Sequence, residues 1–223
     1  MSVVDSHKLR KQLSLYFIMG TANCRKSPEE TLKAAIKGGA TMFQFREKGP
    51  AALHGHDLLE LASSLQTLCR AEGVPFIIND DIELAIQLDA DGVHIGQEDE
   101  PAASIRQRLG SGKIIGVSAH NQAEVQQAIS DGADYLGIGP IYPTPSKDDA
   151  RAVQGTRLIT EIREAGIGIP LVGIGGITAA NTAPVIAAGA DGISVISAIA
   201  GAADATAAAI EFVQAIERAH IRP

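Results

Sequence analysis

The sequence of 223 residues lacks tryptophan, has few other aromatic residues (4%) and contains only two cysteines. So few aromatic side chains argue against a surface that stacks on nucleic-acid bases or an aromatic ligand groove. Cys24 and Cys69 stand apart and form no CxxC motif. This predicts no structural zinc site and fits a reducing compartment.

The sequence also lacks a block of basic residues, and its formal net charge is -7. We therefore expect no binding to nucleic acid or to an acidic membrane surface. No apolar run approaches the roughly 20 residues of a membrane span, and residues 1–5 lack the layout of a signal peptide. The expectation is a cytoplasmic protein with small-molecule partners. The oligomeric state stays open, with a homo-oligomer among the alternatives.

What the sequence does contain is an alternation of short apolar runs and amphipathic stretches. The predicted strands cover 15–20, 42–46, 75–79, 92–96, 114–118, 135–139, 170–174 and 192–197. The predicted helices cover 28–38, 54–72, 81–88, 101–109, 121–131, 155–165, 178–188 and 204–219. Because nearly continuous apolar strands alternate with helices, a parallel sheet covered by helices is indicated.

A short motif repeats where predicted helices meet the following strands. It occurs at 39–41, 90–92, 132–134 and 189–191, each time with glycine, alanine and a small polar residue close together. Repeated strand and helix units without a linker predict an α/β fold, a single (β/α)8 TIM barrel across 1–223. Residues 1–13 are expected to form an extension or helix before the barrel.

In a barrel of this kind, functional residues follow the carboxyl ends of the strands. Strand two ends at Gln44, Arg46 and Lys48, which point to one side because side chains alternate along a strand. Three donors, two of them cationic, suit a polyanion such as diphosphate. For this segment alone, the alternative of a solvated strand end with ion pairs to helices has about the same weight as a polyanion site.

Carboxylates follow the next two strands. Asp80 and Asp99 lie at the ends of adjacent predicted strands, with Asn79 beside them as a neutral hydrogen-bond donor. Magnesium takes one or two protein carboxylates and completes its shell with water and substrate phosphate oxygens, so this pair predicts a Mg²⁺ site. Either aspartate could instead cap a helix, the role we assign to Asp81.

Further candidates occur at other strand ends. Ser118 is a candidate donor to a phosphate oxygen, and Tyr16 either faces a flat heterocycle or fills the barrel interior. His94 is predicted to be a packed core histidine, and His120 a structural hydrogen-bonding residue. The loop 144–149 carries hydroxyl groups and a lysine that could close over an anion.

The glycine-rich end of strand seven, 173–176, and the end of strand eight, 195–198, predict a second anion site. Loops after these two strands often bind phosphate through backbone N–H groups in this fold. Glycine lets the backbone approach an anion closely.

Taken together, the motifs resemble the thiamine phosphate synthase family. They are QFREK (44–48), PFIINDD (75–81), ADGVHIGQED (90–99), GVSAH (116–120), GPIYPTPSKDD (139–149), GIGGI (173–177) and GADGISVISAI (189–199). The resemblance runs from Tyr16 to Ile199 in order and spacing, and several motifs together make it specific.

The resemblance implies a reaction. The family joins 4-amino-2-methyl-5-hydroxymethylpyrimidine diphosphate to 4-methyl-5-(2-hydroxyethyl)thiazole phosphate, giving thiamine phosphate and diphosphate.

The resemblance also implies which residues act. The pyrimidine diphosphate would be held by Gln44, Phe45, Arg46, Glu47, Lys48, Asn79, Ser118 and Lys147. Magnesium would be bound by Asp80 and Asp99. The thiazole phosphate would be held by Thr144, Pro145, Ser146, Gly176, Ile196 and Ser197. The implied catalytic set is Arg46, Lys48, Asn79, Ser118 and Lys147.

Three other functions are alternatives to thiamine phosphate synthesis. A thiazole tautomerase shares the scaffold and the thiazole phosphate site but needs neither a diphosphate site nor magnesium. An isomerase of phosphorylated sugars on the same barrel is disfavoured by the resemblance. A non-catalytic binder of thiamine precursors would not need the paired aspartates.

Overall fold

The computed structural model describes residues 4–144 and 152–221, and it confirms the predicted (β/α)8 barrel. All neighbouring strands pair in parallel, and the sheet closes in the order β1 to β8. The strands are β1 Leu15–Met19, β2 Met42–Phe45, β3 Phe76–Asn79, β4 Gly92–Ile95, β5 Ile114–Ala119, β6 Tyr135–Ile138, β7 Leu171–Ile174 and β8 Gly192–Val195.

Helices cover the outside of the barrel. They are α1 Ser6–Gln12, α2 Pro28–Lys37, α3 Gly55–Glu72, α4 Ile82–Gln87, α5 Ala102–Leu109, α6 Gln122–Ser130, α7 Arg157–Glu164, α8 Thr182–Ala187, α9 Ser197–Ala200 and α10 Ala205–Ile221. Short 3₁₀ turns occur at Thr21–Asn23 and Ala179–Asn181. None of the helices within the described ranges has the length and apolar character of a membrane span.

Alternation along the strands separates two apolar cores. One core lies between sheet and helices and includes Phe43 and Phe45. The other fills the barrel interior and includes Tyr16, Met42 and Tyr135. Helix α1 completes the interior core, because its buried Leu9 packs into it. The functional groups must therefore lie above this filled interior, at the carboxyl ends of the strands.

The repeated motif at the helix–strand junctions fastens the amino-terminal end of the barrel. At each repeat a side-chain oxygen accepts a hydrogen bond from a backbone N–H in the first two residues of the preceding strand. The pairs are Leu15 N to Thr41 Oγ1 at 2.9 Å, and Phe76 N to Asp91, Ile115 N to Asp134 and Leu171 N to Asp191, each at 2.8 Å. These bonds satisfy strand donors that a parallel ladder leaves open, so the repeat is structural.

Three local predictions can be compared with the structure. Asp81 caps α4, because its Oδ1 accepts a hydrogen bond from Leu84 N at 2.9 Å, and that prediction is confirmed. The predicted helix 178–188 is split into the 3₁₀ turn at Ala179–Asn181 and α8, since Asn181 Oδ1 accepts from Thr178 N at 2.7 Å. The predicted strand 192–197 is two residues too long, because α9 begins at Ser197.

Candidate active site

A charged cavity of about 240 Å³ opens at the carboxyl ends of the strands. Seven predicted site residues line it, namely Arg46, Lys48, Asn79, Asp80, Asp99, Ser118 and Thr144. These residues lie at or after the carboxyl ends of β2, β3, β4, β5 and β6, so the barrel brings together groups far apart in the sequence. The predicted convergence of cationic and acidic groups is therefore present in the structure.

Asp80 occupies the centre of this arrangement. Its φ of 60° lies in the left-handed region, where aspartate is one of the better tolerated residues, and its N–H donates to the His94 carbonyl at 2.9 Å. The carboxylate forms an ion pair with the Lys48 ammonium group. Burial raises the pKa of Asp80 above its ordinary value, and Asp99 raises it further while Lys48 opposes the shift. Removal from water is thus the main cause of the shift, and the neighbouring Asp99 adds a smaller contribution.

Asp99 is held in place by its own loop. Its Oδ2 accepts a hydrogen bond from Gly96 N at 2.6 Å. Within residues 4–144 and 152–221 there is no group of three or more His, Cys, Asp or Glu residues that could enclose a metal ion. Two adjacent carboxylates next to an open cavity nevertheless fit a magnesium ion that draws its other ligands from water and a phosphate-bearing substrate. The donor set therefore suits magnesium rather than a protein-enclosed metal.

Asn79 lines the same cavity and carries an unsatisfied donor. Its Nδ2 is buried and has no hydrogen-bond partner in the part of the chain that the structure describes. Leaving a buried donor without a partner costs about 1–3 kcal/mol, so native proteins seldom do so without a reason. Asn79 also lines the cavity, so a turn of its amide group would bring this donor to a ligand oxygen.

Ser118 and His94 form the floor of the cavity. His94 Nε2 lies 3.0 Å from Ser118 Oγ, and its Nδ1 lies 2.9 Å from the Tyr135 hydroxyl. His94 is 7% exposed, as expected of a packed core histidine. It also reaches the cavity, a feature that the sequence analysis missed although the strand alternation of β4 turns it to the interior.

Three other predicted site residues do not line this cavity. Gln44 is buried inside the barrel, where its Nε2 donates to the Tyr16 hydroxyl at 2.7 Å, so it does not stand beside Arg46 and Lys48 as a third donor. Tyr16 is 1% exposed and fills the barrel interior, the second of its two interpretations. Phe45 packs between sheet and helices.

Glu47 also has a structural position. Its carboxylate accepts hydrogen bonds from Thr21 N at 2.8 Å, from the Thr21 hydroxyl and from Leu53 N at 3.1 Å. These bonds fasten the loop after β1 to the loop after β2. Glu47 therefore supports the segment that carries Arg46 and Lys48 and does not line the cavity itself.

A second cavity of about 330 Å³ adjoins the first one. The two share Thr144, Ile174 and Gly175 in their walls. The second cavity is lined by uncharged residues, which include the predicted Gly176, Ile196 and Ser197. Pro145, Ser146 and Lys147, also predicted site residues, lie outside the described residues.

Glycine is required in the wall of the second cavity. Gly175 and Gly176 have φ values of 98° and 62°, and a Cβ on Gly176 would lie 2.4 Å from the Pro143 carbonyl oxygen. No other residue would fit this turn without displacing the backbone. Both glycines line the second cavity, and the anion site predicted there stays a prediction.

His120 and Gln97 also line the charged cavity and were not predicted to do so. His120 Nδ1 lies 2.9 Å from Glu124, which fits the structural role expected of it. Gln97 Nε2 donates to the Ser118 carbonyl at 2.6 Å. Both stand in polar loops with many equivalent neighbours, so no local signal distinguished them.

Comparison with known proteins gives a consistent result. Residues 15–199 match the family described as thiamine monophosphate synthase. The chain is 56% identical over 222 residues to the thiamine-phosphate synthase of Geobacillus thermodenitrificans strain NG80-2, with 100% of both chains covered. The chain is also 57% identical over 217 residues to the thiamine-phosphate synthase of Bacillus licheniformis, and the match covers 97% of this chain and 96% of the relative. The solved thiamine phosphate pyrophosphorylase from Pyrococcus furiosus superposes with a TM-score of 0.85 at 36% identity, over 95% of this chain and 98% of the other.

Proposed function

The chain belongs to the thiamine monophosphate synthase family and is a transferase, and we propose that it joins two phosphorylated precursors to make thiamine phosphate. The pyrimidine diphosphate occupies the charged cavity, and the thiazole phosphate occupies the uncharged one. One observation carries this assignment: the two cavities share Thr144, Ile174 and Gly175, so their occupants lie side by side.

The reaction sets a simple requirement on the site. The bond between the pyrimidine methylene carbon and the diphosphate oxygen breaks, and its electron pair leaves with diphosphate. The lone pair of the thiazole nitrogen forms the new carbon–nitrogen bond. Because this nitrogen is neutral and carries no proton, no catalytic base is needed. The aminopyrimidine can delocalise a developing cation, so a dissociative path is the proposed one, and catalysis is mainly stabilisation of the departing diphosphate.

The charged cavity supplies that stabilisation. Arg46 and Lys48 contribute positive charge on its wall, and Lys147 is assigned to the same task by family resemblance. A magnesium ion held by Asp80 and Asp99 would, when bound, neutralise charge on the diphosphate oxygens. Since Lys48 pairs with Asp80, a cation at the aspartates would also leave the Lys48 ammonium group able to turn to the diphosphate.

Neutral donors orient the same substrate. The buried Asn79 Nδ2 has no partner within the described ranges and can donate to the pyrimidine diphosphate. Ser118 donates through its hydroxyl from the cavity floor. In the adjoining cavity, Gly176, Ile196, Ser197 and Thr144 hold the thiazole phosphate, and Pro145 and Ser146 are assigned there by resemblance.

A single-turnover experiment tests the proposed function. Both precursors are mixed with excess protein and magnesium, and diphosphate and thiamine phosphate are measured together, with and without a chelator. We expect the two products in equal amounts and a large loss of rate with the chelator. A tautomerase would convert the thiazole without releasing diphosphate, and a binder would release neither product. Either outcome would contradict the proposal.

A further inference from the structure

A continuous chain of hydrogen bonds crosses the barrel interior and ends at the charged cavity. Gln44 Nε2 donates to Tyr16 Oη at 2.7 Å, and Tyr16 Oη lies 2.8 Å from Tyr135 Oη. Tyr135 Oη lies 2.9 Å from His94 Nδ1, and His94 Nε2 lies 3.0 Å from Ser118 Oγ. Five strands contribute one residue each, so the chain connects opposite walls of the barrel.

The barrel is shaped around this chain. A Cβ on Gly116 would lie 2.0 Å from Tyr135 Cζ, so only glycine leaves room for the phenol ring. A Cβ on Gly137 would lie 3.1 Å from His94 Cε1. Tyr16 and Tyr135 are 1% and 0% exposed, and burial raises the pKa of both phenols, so each keeps its single proton.

The order of the protons follows from the first donor. An amide nitrogen can only donate, so the Tyr16 oxygen accepts from Gln44. Tyr16 then gives its own proton to the Tyr135 oxygen, and Tyr135 gives its proton to His94 Nδ1. His94 must consequently carry its proton on Nε2, which donates to Ser118 Oγ. Ser118 accepts this bond and keeps its own proton to donate into the cavity.

The opposite order is unfavourable. If Tyr135 donated to Tyr16, the Tyr16 oxygen would accept two hydrogen bonds and its own proton would find no acceptor among these neighbours. A buried donor without a partner is the costly arrangement. In that order His94 would protonate at Nδ1, Nε2 would accept from Ser118, and the serine proton would be turned away from a ligand.

We propose that Gln44, Tyr16 and Tyr135 are positioning residues that fix His94 as the Nε2–H tautomer and thereby direct the Ser118 hydroxyl proton toward the bound pyrimidine diphosphate. The role of Ser118 as a substrate donor rests on the proposed function. The tautomer of His94 does not, since it is a property of the protein alone.

The tautomer can be measured without substrate. In uniformly ¹⁵N-labelled protein, the two ring nitrogens of His94 are assigned by the loss of their signals in His94→Gln. Protonated and unprotonated imidazole nitrogens resonate far apart, so the spectrum reports which one carries the proton. We expect Nε2 to be protonated and Nδ1 unprotonated in the unmodified protein. Protonation at Nδ1, or at both nitrogens, would overturn the proposal.

Tyr135→Phe removes the donor to Nδ1 and should shift the ¹⁵N signals of His94 toward a mixture of tautomers. Tyr142→Phe is the matched control, because the Tyr142 hydroxyl donates to the Asn181 carbonyl at 3.1 Å and takes no part in the hydrogen bonds from Gln44 to Ser118. It should leave the His94 signals unchanged. Unchanged His94 signals in Tyr135→Phe would contradict the proposal that Tyr135 fixes the tautomer.

A double-mutant cycle on substrate affinity links the tautomer to binding. Tyr135→Phe should weaken pyrimidine diphosphate binding about fivefold to tenfold, the effect of one misdirected hydrogen bond. In a Ser118→Ala background the same change should alter the dissociation constant less than about twofold, because the serine proton is gone. Equal losses in both backgrounds would assign Tyr135 a merely structural role. If Ser118→Ala alone binds normally, the substrate role of Ser118 fails while the tautomer result stands.

Discussion

Exchanging Asp80 for asparagine separates the charge of this residue from its structure. Asp80 has a φ of 60°, a conformation that asparagine tolerates as well as aspartate. Asp80→Asn therefore keeps the shape and the backbone while removing one negative charge from the cavity. Alanine would add backbone strain and confuse the two effects.

The structure predicts opposite effects on turnover and on stability. If Asp80 helps to hold the metal that stabilises the leaving diphosphate, its loss should lower kcat about 10²–10³-fold, the usual effect of removing one preorganised charge. Burial raises the pKa of Asp80, so the folded state binds its proton more tightly than the unfolded state. Stability from this group is present at low pH and is lost as pH rises toward the raised pKa. At neutral pH the ionised group is destabilising, and Asp80→Asn should have an equal or higher Tm.

The assay measures kcat with magnesium and Tm with a chelator on the same preparations. Asp81→Asn is the matched control, since it makes the same chemical change one residue away, where the side chain caps α4 and asparagine caps equally well. It should turn over normally. Near-normal turnover of Asp80→Asn, or a fall in Tm that accompanies the loss of activity, would refute the reasoning.

Two further predictions concern stability and thiol reactivity. Asp134→Ala removes the carboxylate that pairs with Arg106 at 2.6 Å and accepts from Ile115 N at 2.8 Å, and should lower the free energy of unfolding by about 3 kcal/mol in urea titrations. Asp131→Ala, at a half-buried position where the carboxylate only accepts from Gln127 Nε2 at 2.9 Å, should cost less than about 1 kcal/mol, and equal costs would contradict the structural role of the repeat. Burial raises the pKa of Cys24 to about 11 and of Cys69 to about 12, so alkylation at pH 8 should be much slower in the native than in the denatured protein. Rapid native labelling of both thiols would contradict their burial.

The barrel could be predicted from the sequence because its strands are short apolar runs that alternate with amphipathic helices. The ends of the strands and helices were harder to predict. Ile196 and Ser197 continue the apolar and small-residue pattern of β8, yet the backbone turns at Ile196, with φ -114° and ψ -90°, into α9. Hydrophobicity cannot report that change of dihedral angle.

The charged cavity was predictable as a set of strand ends, but the depth of each side chain was not. Alternation correctly places Gln44 on the interior side of β2, whereas its height in the barrel depends on the register with Tyr16 across the sheet. The contact between Tyr16 and Tyr135 joins residues 119 positions apart. Such a contact leaves no periodic signal, so the interior network became visible only with the structure.

In the proposed reaction the departing diphosphate lies with its metal at Asp80 and Asp99, against Arg46 and Lys48. Crystals soaked with manganese and inorganic diphosphate test it directly, because the anomalous signal locates the metal. We predict an anomalous peak within coordination distance of Asp80 and Asp99, with diphosphate density beside Arg46 and Lys48. A metal bound elsewhere, or diphosphate density away from these residues, would contradict the account.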